Sequence, residues 1–245
     1  MNKQTIASLI DHTMLLPTAG IKDIVRLCAE ASRYHFASVC VNPRYVPIAK
    51  LELEGKGVKV CTVVGFPLGA MTSRAKAFEA ENAILDGADE IDMVMDIAAA
   101  IDSRFNNVET DILEVVEASR RAGEKIGKKI LVKVILETCF LDDSAVITAS
   151  QCALKAGADF VKTSTGFASP KGVDGNLLPN GASVHHVTLM RQAVQDKCGV
   201  KASGGIRSAR TALSLIQAGA NRIGTSSGVQ IVENWDESIK IKGWD

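Results

Sequence analysis

Short apolar runs alternate along this chain with longer segments whose apolar residues recur every three to four positions. The short runs are SLIDHTML (8–15), FASVCVN (36–42), KVCTVVGF (59–66), EIDMVM (90–95), KILVKVILE (129–137), FVKTSTG (160–166), GVKASGGI (199–206) and RIGTSSG (222–228). Their length and apolar character predict eight strands. Between them, TSRAKAFEAENAILDGA, VETDILEVVEASRRAG, DDSAVITASQCALKAG and SARTALSLIQAG carry the spacing of amphipathic helices. Three junctions repeat one pattern: in ILDGADEIDMVM, ALKAGADFVKTST and LIQAGANRIGTSS a helix end passes through Gly-Ala and then Asp or Asn into a strand. Glycine at that position predicts a C′ stop and a short turn.

Strands that alternate with helices pair in parallel through right-handed crossovers, and eight such units in 245 residues predict a single (β/α)8 barrel, the TIM-barrel architecture, spanning 1–245. An open doubly wound sheet is the alternative, but no GxGxxG follows the first strand, which argues against dinucleotide binding. One connection departs from the rhythm. Residues 167–182 form a Gly-, Pro- and Asn-rich βα loop ahead of the helix SVHHVTLMRQAV, which reads either as a tolerated insertion or as a lid at the mouth of the barrel.

Composition narrows the partners. Lys and Arg total 28 and Asp and Glu total 28, so no net field draws the chain to nucleic acid or an anionic membrane. The N-terminus reaches Asp11 before an apolar h-region forms, and no uncharged run is apolar enough to span a bilayer; a cytoplasmic protein is expected. Six scattered cysteines without a CxxC pair read as reduced thiols. Neither the cysteines nor the four histidines show metal-ligand spacing, and no metal or other cofactor is expected.

Charges inside the strand patterns carry the chemistry. Alternation places Val132, Val134 and Leu136 on one face of their strand, with Lys133 on the other; Val161 opposes Lys162, and Val200 and Ala202 oppose Lys201. Glu137 shares the face of Lys133; with the apolar face turned to the helices, the three lysines point into the barrel, the same parity turns Asp92 inward, and Asp11 joins them by analogy. Buried charges are costly unless paired or neutralised. Three Lys and two Asp balance if one lysine is neutral, and a neutral amine is a nucleophile able to form a Schiff base. A salt-bridge network that merely closes the barrel is the competing reading. The turns SGGI (203–206) and GTSSG (224–228), after the last two strands, supply small residues, N–H groups and hydroxyls where barrels bind phosphate, with Arg207 close by in sequence.

In order along the chain, DHTML, CVNPRYV, VVGFPLGA, ADEIDMVM, LVKVILET, FVKTSTG, VKASGGIR and GTSSG resemble the deoxyribose-phosphate aldolase family over nearly the whole length. The resemblance implies a (β/α)8 class I aldolase that works without metal and reversibly splits 2-deoxy-D-ribose 5-phosphate into D-glyceraldehyde 3-phosphate and acetaldehyde. It assigns Lys162 as the Schiff-base lysine, Lys201 and Asp92 as its catalytic partners, and Gly166, Gly204, Gly205, Ser226 and Ser227 to phosphate binding, with Asp11 and Lys133 in the supporting polar network. It also implies a homodimer or homotetramer. The chain departs from the family in its longer segment after Gly166, in Asp96 where many relatives have Asn, and in a tail, GVQIVENWDESIKIKGWD, without the tyrosine some relatives use in proton transfer. Read from the residues alone, a phosphosugar isomerase or epimerase and a non-catalytic phosphosugar-binding barrel are the rivals.

Overall fold

A computed structural model describes residues 1–238; the last seven residues of the tail, 239–245, lie outside the described residues. Eight parallel strands close in sequence order into a barrel: β1 (Ile10–Met14), β2 (Ser38–Val41), β3 (Lys59–Val64), β4 (Glu90–Val94), β5 (Leu131–Ile135), β6 (Phe160–Lys162), β7 (Gly199–Ser203) and β8 (Arg222–Thr225). Each predicted run contains one of them. Helix α1 (Lys3–Ala7) precedes the barrel. Around it lie α2 (Ile21–Tyr34), α3 (Val46–Glu52), α4 (Ser73–Leu85), α5 (Ile97–Ile101), α6 (Phe105–Lys125), α7 (Asp143–Lys155), α8 (Val184–Val194), α9 (Ala209–Gln217) and α10 (Gly228–Glu233).

The hydrophobic core is the layer between strands and helices. Ile91, Met93, Val132, Val134, Val161, Val200, Ala202 and Ile223 alternate with the polar strand residues and are buried in that layer. Burying each of the larger side chains contributes about 1.5–3 kcal/mol relative to exposure, so the fold is driven from outside the sheet and its interior is free to hold charge.

The repeated junctions explain how the lower rim is held. Gly87, Gly157 and Gly219 adopt positive φ (119°, 84° and 113°). The following residues close each helix: Ala88, Ala158 and Ala220 donate N–H bonds of 3.0 Å to Ala83, Ala153 and Leu215. This is the Schellman-type stop that the glycine predicts. The next residue then clamps the preceding strand twice. Asp89, Asp159 and Asn221 donate their N–H to the carbonyls of Val60, Val132 and Val200 at 2.8, 2.9 and 2.8 Å. Their side chains accept the N–H of those same valines at 3.1, 2.9 and 3.1 Å.

At the opposite rim β6 ends at Lys162, earlier than its apolar run suggests. Thr163 takes over with its side chain, donating to the Ser203 carbonyl at 3.0 Å and accepting the Ser203 N–H at 3.1 Å. The 167–182 segment contains a short antiparallel bridge between Lys171 and Leu177. It rejoins the barrel where the Ala182 N–H meets the Gly204 carbonyl at 3.1 Å. A Cβ at Gly181 would lie 2.5 Å from that carbonyl oxygen, so glycine is required for the approach.

Candidate active site

The parity of the strands brings all the predicted interior charges together. Asp92 is fully buried at the centre: its Oδ2 lies 2.7 Å from Lys162 Nζ and 2.7 Å from Lys201 Nζ, and its Oδ1 lies 2.9 Å from Lys133 Nζ. Lys162 and Lys201 are directly paired in the β6–β7 register, which puts both amines at one height. Lys201 also lies 2.5 Å from Asp11 Oδ2. Asp11 Oδ1 accepts the Ser38 hydroxyl at 2.7 Å.

Two further charges belong to the set. Glu90 is 2.5 Å from Lys133 and 2.9 Å from Arg222, and Arg222 also pairs with Asp11 Oδ1. Glu90 shares the parity of Asp92, and Arg222 alternates with Ile223 of the helix-facing layer, so the alternation that found the lysines could have found them. Being opposite in sign, they leave the balance unchanged. Asp11, Glu90 and Asp92 supply three negative charges, and Lys133, Lys201 and Arg222 supply three positive ones. This directly ion-paired set is therefore neutral when Lys162 is an amine; the further buried carboxyl of Glu137 lies outside it, with burial opposing its ionisation.

Electrostatics fix which groups carry charge. Burial pushes the Asp92 carboxyl up, but Lys133, Lys162 and Lys201 more than reverse this and hold it well below the usual carboxylate range. Burial likewise opposes ionisation of Asp11, and Arg222 and Lys201 overcome it to the same effect. For Lys201 burial works against the ammonium, while Asp11 and Asp92 carry it well above an ordinary lysine. Lys133 is raised too, burial being outweighed by Asp92, Cys61 and Glu90.

Only one lysine of this network reaches the mouth. Lys133 and Lys201 are 0% exposed and Lys162 is 3% exposed. Lys162 lies in the wall of a cavity of about 480 Å³ at the C-terminal ends of the strands. One side of this cavity is apolar, formed by Met14, Leu15, Leu16 and Phe167. The other is made by Gly166, Gly204, Gly205, Arg207 and Ser226, with Thr165, Ser203 and Thr225 between. No hydrogen bond from the N–H of Gly166, Gly205 or Ser226 is found among the described residues. Ser227 does not line the cavity; its N–H donates to Thr225 Oγ1 at 2.9 Å. Asp96 caps α5 through the Ala99 N–H at 2.9 Å, away from the cavity wall.

Two groupings of metal-ligand type arise in three dimensions among the described residues: Cys40, Cys61 and Asp92 inside the barrel, and Asp143, His185 and His186 at the starts of α7 and α8. Sequence spacing hides both, since their members come from separate elements. In the first, Lys133 stands 3.5 Å from Cys61 Sγ and opposes a further cation. In the second, His185 is already paired with Asp143 at 2.8 Å.

The family model for DeoC/LacD family aldolases matches residues 5–234. A deoxyribose-phosphate aldolase of Thermoanaerobacter sp. is 50% identical over 232 residues, covering 95% of this chain and 97% of its own. That of Thermococcus kodakarensis is 51% identical over 235 residues, covering 95% and 98%. Among solved structures, the tetrameric deoxyribose phosphate aldolase of Aeropyrum pernix superposes with a TM-score of 0.83 at 34% identity, covering 97% of this chain and 94% of that one. With the fold, the inward lysines and these relatives in agreement, the chain belongs to the DeoC/LacD aldolase family.

Proposed function

We propose that this enzyme is a deoxyribose-phosphate aldolase that reversibly cleaves 2-deoxy-D-ribose 5-phosphate to D-glyceraldehyde 3-phosphate and acetaldehyde through a Schiff base on Lys162. The observation that carries the assignment of roles is the position of Lys162: it faces the cavity, 2.7 Å from Asp92, in a network whose other paired charges already cancel. The amine form is thus compatible with its burial, and the amine is the nucleophile.

Lys162 Nζ adds to the C1 aldehyde, giving a carbinolamine. Protonation of its hydroxyl and departure of water leave a cationic iminium. The C2–C3 bond then breaks; its electron pair moves toward the iminium nitrogen to form an enamine, and the C3 hydroxyl proton passes to a base. Carbons three to five leave as glyceraldehyde 3-phosphate. Protonation at C2 restores an iminium, and water releases acetaldehyde and the free lysine. Asp92 stabilises the iminium charge from 2.7 Å in a site that needs no reorganisation. With Lys201 it relays protons to and from the substrate through water.

The phosphate belongs on the turns at Gly166, Gly204, Gly205 and Ser226, with Arg207 also lining the cavity and Ser227, outside its wall, holding the last turn through Thr225. Unsatisfied N–H groups on such turns favour a dianion. The electron sink is the iminium, so the account requires no metal. The reaction class is the degradation of deoxyribose phosphates, and we place it in the cytoplasm on a homodimer or homotetramer. All six cysteines are free, which suits a reducing compartment, and no helix of the described residues is long and apolar enough to cross a membrane.

The test is incubation with 2-deoxyribose 5-phosphate under a coupled readout of glyceraldehyde 3-phosphate, with parallel hydride trapping in the presence of acetaldehyde. One ethyl group on the peptide carrying Lys162 is expected. Labelling elsewhere with Lys162 unmodified would overturn the assignment.

A further inference from the structure

Glu137 is a buried carboxyl that the chemistry above does not use. It is 1% exposed, follows β5, and adopts a left-handed conformation (φ 54°, ψ 60°) that side-chain-bearing residues rarely take. No salt bridge to it is found among the described residues. Its carboxylate is held chiefly by one neighbour, Thr165; the Cys139 thiol approaches Oε1 at 4.0 Å, and its backbone carbonyl accepts the Phe140 N–H at 3.1 Å. Thr165 donates its N–H to both carboxylate oxygens at 3.2 Å each and its hydroxyl to Oε2. Thr165 Oγ1 in turn accepts the Phe167 N–H at 3.0 Å.

Thr165, Gly166 and Phe167 all line the active-site cavity, whereas Glu137 does not. Gly166, at φ 85°, has no side chain with which to hold its own turn. We infer that Glu137 is a positioning residue for phosphate recognition: through Thr165 it fixes the turn whose Gly166 N–H faces the substrate's phosphate. The inference rests on the phosphate placement proposed above. Burial raises the Glu137 carboxyl above its ordinary range, against the pull of its Thr165 bonds and of Lys162, so ionisation here is opposed by its surroundings. A residue kept in a strained backbone and an unfavourable charge environment is expected to have a use.

Glu137→Gly separates this role from folding, because glycine accepts the left-handed backbone and only the acceptors are lost. KM for 2-deoxyribose 5-phosphate should rise on the order of tenfold to a hundredfold, with kcat changed little, as expected for two lost bonds to a carboxylate. The rate of hydride-trapped adduct from acetaldehyde, which needs Lys162 but no phosphate, should stay at the wild-type level. Glu137→Gln keeps one acceptor and should raise KM less; it is the measure if the glycine variant does not fold. Trapping and phosphosugar cleavage falling together, or a variant that keeps the wild-type preference for phosphorylated over unphosphorylated 2-deoxyribose, would overturn the role of Glu137 alone. A wild-type enzyme that treats the two sugars alike would overturn the phosphate placement and this inference with it.

Discussion

The half-buried lower rim and the buried interior of this barrel both hold polar groups, but the first ties them mainly to backbone and the second to charged side chains. At the lower rim Asp89, Asp159 and Asn221 each exchange two hydrogen bonds with one valine of the preceding strand. Aspartate and asparagine both supply the acceptor at that fixed place, with Asp89 additionally paired with Lys128 at 2.8 Å and Asn221 Oδ1 also accepting from Arg191. In the interior, single oxygens are shared: Asp92 Oδ2 meets two lysines, and Asp11 and Glu90 each bridge two cations. Counting Arg222 with the three lysines, there is one basic side chain more than the three carboxylates of this network, and Lys162 is the one at the cavity. A fully satisfied polar contact is structural; a network with one surplus group has chemistry available to it.

Replacing Lys162 should draw the sharpest line between the two regions. Lys162→Ala is expected to lower turnover on the order of 10⁴-fold or more, while far-UV CD and the melting temperature stay near wild type, because the helix-facing core is untouched. Loss of the CD signal would make the residue structural.

At the phosphate side the effect should be smaller and selective. Ser226→Asp is expected to reduce kcat/KM for 2-deoxyribose 5-phosphate by about a hundredfold through like-charge contact, with far less loss on unphosphorylated 2-deoxyribose. Equal losses on both would contradict a phosphate role.

The lower rim should behave in reverse. Asp159→Ala leaves the Val132 N–H without its side-chain acceptor and should cost about 1–3 kcal/mol of stability, read by denaturant unfolding, with kcat unchanged. Asp159→Asn should be nearly neutral, as the third repeat already carries Asn221 in that place. A large loss from the asparagine variant would mean that charge, and not an acceptor, is required. The smallest expected effect is that of EDTA, which should leave kcat unaltered; chelator-sensitive activity restored by zinc would favour a metal-dependent reaction instead.

Much of this contrast was legible in the sequence, because strand parity is a rule with period two and applies to charged and apolar residues alike. It turned Lys133, Lys162, Lys201 and Asp92 inward before any coordinate was known, and it applies equally to Glu90 and Arg222. The Gly-Ala-Asp/Asn repeat announced the helix stops, although the clamp onto the preceding valine needed the register to be seen. Alternation puts Glu137 on the face of Lys133, but its contacts were beyond reach. Its left-handed backbone and its bonds to Thr165 depend on two loops meeting, and local sequence encodes neither. The end of β6 at Lys162 was hidden for the same reason, since the side-chain bonds that Thr163 adds to its backbone bonds form only where β7 presents Ser203.

The central claim is that Lys162 is the nucleophile of a network whose other paired charges cancel, and Lys201→Leu tests it most directly. Lys201 is held well above an ordinary lysine by Asp11 and Asp92, so it contributes a full positive charge throughout the working pH range. Removing it leaves this network one negative charge in excess, which protonated Lys162 would then neutralise. The reactive form is the unprotonated amine, so the acidic limb of the hydride-trapping rate with acetaldehyde should move to higher pH in the variant, and trapping at neutral pH should slow. If that limb stays in place while phosphosugar turnover still collapses, Lys201 is a proton carrier only, and the balance of charges does not explain the reactivity of Lys162.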